Sequence, residues 1–130
     1  MKLLLDTHIF LWFISGSTKL TNYSKDLIEN TDNQRFLSLA SLWEITIKIS
    51  LGKLHISIPY EQLIQKHIYD NDIELLNIAP KHLSHILNLP FHHKDPFDRL
   101  IIAQAQCEDM SIISSDEQFK KYDTIILWQN

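Results

Sequence analysis

Four carboxylates of the 130-residue chain occupy positions where catalysis is commonly built: Asp6, Glu44, Asp98 and Asp116. Asp6 closes the apolar run Lys2–Leu5, and Asp116 follows the apolar run Ser111–Ser114. Glu44 lies early in the amphipathic stretch Ser41–Leu51, and Asp98 comes just after Pro96, a residue suited to a first helical turn. Grouped carboxylates are hard oxygen ligands. No cysteine or convincing histidine ligand set accompanies them, which favours Mg²⁺ or Mn²⁺ over zinc. One or two such ions can orient and deprotonate water and stabilise a phosphate undergoing displacement. The chemistry indicated is phosphodiester hydrolysis.

The elements that must bring these acids together are legible in outline. Lys2–Leu5, Phe36–Leu39, Glu74–Ile78, Ser111–Ser114 and Ile125–Leu127 read as short strands. Between them, Thr7–Ile14, Leu20–Asn30, Ser41–Leu51, Pro59–Tyr69, Pro80–Leu87 and the stretch after Pro96 read as helices, with one further turn at Glu117–Lys121. Gly52 supplies the left-handed residue that ends the third helix. Short apolar strands alternating with amphipathic helices predict a three-layer α/β fold, a central parallel sheet with helices on both faces. In such a fold, strand ends and helix starts share one edge, where ligands bind. The four acids belong to that edge.

Each acid also has a purely architectural reading. Ser41 and Glu44 match a capping box, and Asp95 suits an N-cap with Asp98 as a first-turn acid favoured by the helix dipole. Asp6 and Asp116 can each cap the helical segment that begins after it. Four like charges on one edge, however, repel one another unless a cation lies among them.

The motifs resemble a known family. Leu3-Leu4-Leu5-Asp6-Thr7-His8, Trp43-Glu44-Ile45 with Lys48 and Gly52-Lys53-Leu54, Asp95-Pro96-Phe97-Asp98-Arg99 with Ala103 and Ala105, and Ser114-Ser115-Asp116 look like PIN-domain signatures. Their order and spacing resemble VapC-type toxins of toxin–antitoxin pairs across nearly the whole chain. The resemblance implies a single PIN domain over residues 1–130, Mg²⁺-dependent endoribonuclease activity, inhibition by a cognate antitoxin protein, and a homodimer. It carries over Asp6, Glu44, Asp98 and Asp116 as active-site acids, with Asp6, Asp98 and Asp116 as metal ligands. Ser114 stands where threonine is frequent in the family, so the hydroxyl is retained.

Composition narrows the alternatives. Sixteen acids against twelve Lys and Arg give a formal charge of −4, which speaks against a protein that coats nucleic acid with a broad basic face. An enzyme acting on nucleic acid through bound cations remains compatible with that charge. One cysteine, Cys107, cannot form an internal disulfide and suits a reducing cytoplasm. The apolar stretches near residue 10 are too short to span a bilayer, and no signal-peptide pattern is present.

Several other residues have competing readings. Lys48, four residues after Glu44, can approach phosphate or pair with Glu44. Arg99 can contact phosphate, although a surface ion pair is the plainer expectation. His82, His85, His92 and His93 invite a metal site, but solvated side chains are expected because no third ligand accompanies His82 and His85. Leu11, Trp12 and Phe13 cannot all be buried by one helix and suggest an apolar patch for a partner.

Two rival enzyme and signalling classes fit the residues less well. A haloacid-dehalogenase phosphatase needs a second Asp where His8 stands, and a receiver domain needs paired acids after its first strand. The alternative of a different kind is a non-catalytic α/β interaction module whose acids only cap helices.

Overall fold

A computed structural model describes residues 1–130. Strand β1 (Lys2–Leu5) is followed by helices α1 (Thr7–Ser15) and α2 (Asn22–Glu29), then β2 (Gln34–Ser38) and α3 (Leu39–Ser50). Helix α4 starts at Tyr60–Gln62 and continues in π form over Leu63–Tyr69. Next come β3 (Ile73–Leu76), α5 (Pro80–Ile86), α6 (Pro96–Glu108), β4 (Ser111–Ile113), a 3₁₀ turn (Glu117–Lys121) and β5 (Ile126–Leu127). The expected elements are present, with no end shifted by more than two residues.

All five strands are parallel, in the order β3-β2-β1-β4-β5. Leu3, Leu4 and Leu5 are completely buried because both faces of β1 are covered. Their alternation divides the interior. Leu3 and Leu5 join Ile9, Phe10, Ile28, Leu42, Ile45 and Ile68 in one apolar cluster. Leu4 points the other way, among Ile101, Ile102, Ala105, Ile112 and Phe119. Helices α1–α4 therefore cover one face and α6 the other, giving the predicted three layers.

Chain direction reverses its march across the sheet between β1 and β4. From β1 the chain moves outward through β2 to β3, then returns to place β4 on the opposite side of β1. The residues beyond β1 and β4 diverge there, opening the crevice where parallel sheets bind ligands. The Asp6 amide donates to the Ile113 carbonyl at 3.1 Å, carrying the ladder one step past β1 and setting Asp6 at the lip of that crevice.

Two helices are tied together below the crevice. Ser38 ends β2, and its hydroxyl also caps α3 by accepting from the Ala40 amide at 3.0 Å. The same hydroxyl hydrogen-bonds the Gln104 side-chain carbonyl from α6. This overturns the capping box expected at Ser41 and Glu44. With helix α3 beginning at Leu39, Ser41 lies inside it and accepts a 2.8 Å hydrogen bond from the Thr7 hydroxyl. Glu44 falls in the second turn, not the first.

Candidate active site

Asp6 reaches the site from the end of β1 and is almost fully buried. Its Oδ2 accepts a 2.9 Å hydrogen bond from the Ser114 hydroxyl, which itself accepts from the Asp116 amide at 3.0 Å. Ser114 thus joins the loops after β1 and β4. Burial pushes the Asp6 carboxyl above the usual range, and the Ser114 hydrogen bond and nearby His8 only partly offset it, while Asp116 adds repulsion.

Asp98 sits in the first turn of α6. That turn exists because Asp95 caps it, accepting from the Phe97 and Asp98 amides at 2.9 and 3.0 Å, and because Pro96 is preset for a first helical position. The Asp98 carboxyl is pushed up to about 8 by burial first, then by the charges of Asp95, Asp6, Asp116 and Glu44. Asp6, Asp116 and Glu44, all distant from it in sequence, thus lie near enough in the fold for their charges to bear on Asp98. Asp116 also caps the 3₁₀ turn, accepting from the Gln118 amide through Oδ1 at 2.9 Å.

Glu44 is buried on α3. Its Oε2 pairs with Lys48 at 3.1 Å, one turn later, whereas its buried Oε1 has no hydrogen-bond partner. Lys48 is therefore engaged by Glu44. Asp95 and Asp116 satisfy the capping reading; Asp98 and Glu44 do not cap the helices they lie on, and Asp6 makes no capping hydrogen bond.

Two expectations for neighbouring residues need correction. Arg99 makes no surface pair. It is 4% exposed, donates to the Pro90 carbonyl at 2.9 Å and the Tyr122 hydroxyl at 3.3 Å, and stacks on Phe91 with 4.0 Å to the ring centroid. It staples the loop before α6 because burial leaves a guanidinium no water to donate to. The histidines are not simply solvated either. His82 is buried, accepts from the Ala79 amide and faces Glu108 at 3.2 Å, and His85 contacts Gln106 at 2.6 Å.

His93, which the sequence reading set aside with the solvated histidines, is half-buried beside the site. Its Nε2 lies 3.4 Å from Asp98 Oδ2. The only signal in the sequence was a histidine five residues before Asp98, inside a loop bounded by Pro90 and Pro96.

At the mouth, Trp43 and Phe97 meet edge to face with centroids 5.2 Å apart. They are the chain neighbours of Glu44 and Asp98, and Trp43 is 58% exposed. Along α1 runs a groove of about 360 Å³, lined by His8, two residues from Asp6, and by Leu11, Trp12, Ile14, Leu54 and Ile58 among others. Leu11, Trp12 and Phe13 are all half-buried, so the apolar patch expected there takes the form of a groove wall.

The donor set fits a hard divalent cation. Mutually repelling carboxylates and an unpartnered buried Glu44 oxygen are what such an ion relieves, and all the available donors are oxygens. No three His, Cys, Asp or Glu side chains stand close enough together to enclose an ion by themselves, so an ion here would be held by one or two carboxylates and water. An open cluster is the arrangement Mg²⁺ favours, since it keeps several waters.

The fold is that of a PIN domain, and the family model for the PIN domain matches residues 3–125. The chain belongs to this family, whose members are in general nucleases. Among solved structures, VapBC2 from Rickettsia felis bound to a promoter DNA fragment is similar, with 21% identity, 98% of each chain covered and a TM-score of 0.70. DNA-bound VapBC from Salmonella typhimurium shows 16% identity, covers 98% of this chain and 97% of its own, and has a TM-score of 0.70. FitAcB from Neisseria gonorrhoeae shows 12% identity, 97% and 96% coverage and a TM-score of 0.67. No curated protein matches the sequence. No helix is long and apolar enough to cross a membrane.

Proposed function

We propose that this chain is a Mg²⁺-dependent endoribonuclease, with Mn²⁺ able to substitute, and the VapC-type toxin of a toxin–antitoxin pair acting in the cytoplasm. The observation that carries the reading is Asp98, whose carboxyl is pushed up to about 8 among Asp95, Asp6, Asp116 and Glu44. One or two of Asp6, Asp98 and Asp116, with water, would hold the ion, and Glu44 completes the catalytic set.

When bound, a divalent ion supplies Lewis acidity toward the phosphate and lowers the pKa of water. Ser114 holds Asp6 in one orientation, so a ligand oxygen stays aimed at the crevice. Lys48 occupies one oxygen of Glu44 and leaves Oε1 free to accept the proton released by the attacking water. Attack on phosphorus breaks the bond to the leaving ribose oxygen, which takes up a proton from solvent.

The chain provides little free positive charge beside the acids, because Lys48 is paired and Arg99 is buried. Trp43 offers a sequence-tolerant attraction instead, by stacking on an unpaired base. That supports single-stranded RNA as substrate. The half-buried groove along α1 suits an apolar antitoxin segment, with a basic side chain able to enter among the carboxylates. The toxin–antitoxin complexes named among the similar structures support that partner, and a homodimer belongs to the same proposal.

Purified protein should cleave RNA with Mg²⁺ or Mn²⁺ and stop in EDTA. Undiminished cleavage in EDTA removes the metal mechanism, and absence of any cleavage across metals favours the interaction module.

A further inference from the structure

We infer that His93 is a positioning residue for Asp98, oriented by a hydrogen-bond chain that runs from Arg99 through Tyr122. The inference rests on the proposed role of Asp98 as a metal ligand, and adds a residue from outside the acid cluster.

The chain starts from a group that can only donate. Arg99 Nη1 gives a hydrogen bond to the Tyr122 hydroxyl oxygen at 3.3 Å. Tyr122 is 4% exposed, so its own proton needs a protein acceptor. The available one is His93 Nδ1, at 2.8 Å. A ring that accepts at Nδ1 carries its proton on Nε2 when neutral. Nε2 is buried, has no hydrogen-bond partner, and lies 3.4 Å from Asp98 Oδ2.

At that separation the ring N–H and the carboxylate oxygen are not aligned as a hydrogen bond, and contacts of this kind commonly tighten when a reactive complex forms. The ring itself has little freedom. It packs edge-on against Phe119 and Tyr122, with centroids 6.2 and 5.5 Å away. His93 therefore presents an N–H to one oxygen of Asp98 from a fixed direction. Loss of a partner that orients a metal-ligating carboxylate typically weakens metal affinity or activity by about 10–100-fold.

This also accounts for the burial of Arg99. By clamping the Pro90 carbonyl as well as Tyr122, it holds both the loop that carries His93 and the hydroxyl that selects its tautomer.

The test uses the whole chain and Mn²⁺ as probe, counting free ion by electron paramagnetic resonance, beside steady-state cleavage of a single-stranded RNA. His93→Leu should weaken Mn²⁺ binding by about 10–100-fold and lower kcat, with KM for RNA unchanged. His93→Gln, which keeps a donor, should recover most of the affinity. Tyr122→Phe should give a smaller loss, because the ring packing survives while the tautomer is no longer selected. Should His93→Leu fail to fold, the glutamine and phenylalanine variants carry the comparison. Wild-type Mn²⁺ affinity in folded His93→Leu, or equal losses for leucine and glutamine, overturns the inference. Asp98→Asn is the control: if it binds Mn²⁺ like the wild type, the metal-site reading fails and takes the inference with it. Weak binding by Asp98→Asn with normal binding by His93→Leu defeats the inference alone.

Discussion

The Ser114 hydroxyl donates to Asp6 Oδ2 at 2.9 Å, joining residues 108 positions apart in the chain. The same oxygen accepts from the Asp116 amide at 3.0 Å, so one small side chain orients one acid and the backbone of another. Ser114→Ala removes the donor and leaves a buried carboxyl short of a partner. Stability should fall by about 1–3 kcal/mol, and cleavage should drop with it. Ser114→Thr keeps the hydroxyl and should stay near wild type in both. Urea denaturation and initial cleavage rates on the two variants check this; equal behaviour of Ala and Thr contradicts it.

The raised Asp98 carboxyl has a consequence for stability against pH. In the unfolded chain Asp98 titrates near its ordinary value of 3.8, and in the folded, metal-free chain at about 8. Between these values the folded state holds a proton that the unfolded state has lost, so this group makes stability fall as pH rises through that window. The limiting slope is about 1.4 kcal/mol per pH unit, reduced by solvent at this partly accessible side chain. Asp98→Asn should flatten the profile and be as stable as, or more stable than, the wild type at pH 8. Thermal melts in EDTA across pH measure it, and parallel profiles for the two proteins would contradict the assignment.

Asp95 and Asp98, three residues apart, should respond differently to the same change. Asp95 accepts two amide hydrogen bonds, a task that asparagine can perform, so Asp95→Asn should be mild in stability and cleavage. Asp6→Asn and Asp98→Asn should abolish cleavage without unfolding the protein. Wild type and Asp95→Asn should gain about 2.7 kcal/mol at a hundredfold excess of Mg²⁺ over its dissociation constant, and Asp98→Asn clearly less. Melts along a Mg²⁺ series at constant ionic strength decide it. A wild type indifferent to Mg²⁺ contradicts the metal-site reading.

Trp43 should act on substrate binding. Replacing it with alanine should raise KM for single-stranded RNA by the equivalent of about 1–3 kcal/mol and change kcat little, while phenylalanine should restore much of the loss. Fold stability should hardly move, since the indole is largely exposed. Kinetics on matched single- and double-stranded substrates provide the measurement, and an unchanged KM for Trp43→Ala rules out stacking there.

Much of the architecture was legible because Leu3–Leu5 and Ile112–Ile113 are short apolar runs buried on both faces, and a pattern of that kind leaves few alternatives. The nearness of Asp6, Glu44 and Asp116 to Asp98 was legible from placing each at the same edge. The start of α3 was misread for a physical reason: Ser38 serves both as the last residue of β2 and as the helix cap, so no loop marks the boundary. His93 was set aside as solvated because its contacts are tertiary. Tyr122 and Phe119 arrive from far along the chain, and a loop histidine has no periodicity to betray its role. Arg99 misled for a similar reason, since its place beside Asp98 suggested a surface and its acceptors, the Pro90 carbonyl and the Tyr122 hydroxyl, are brought to it only by the fold.

The bond from Ser38 to Gln104 joins the start of the helix carrying Glu44 to the body of the helix carrying Asp98. The two acids therefore ride on a jointed caliper whose pivot is buried in the protein, away from solvent and substrate. Their spacing depends on that pivot, so a change of side-chain length at Gln104 would shift the gap between the jaws without removing any charged group.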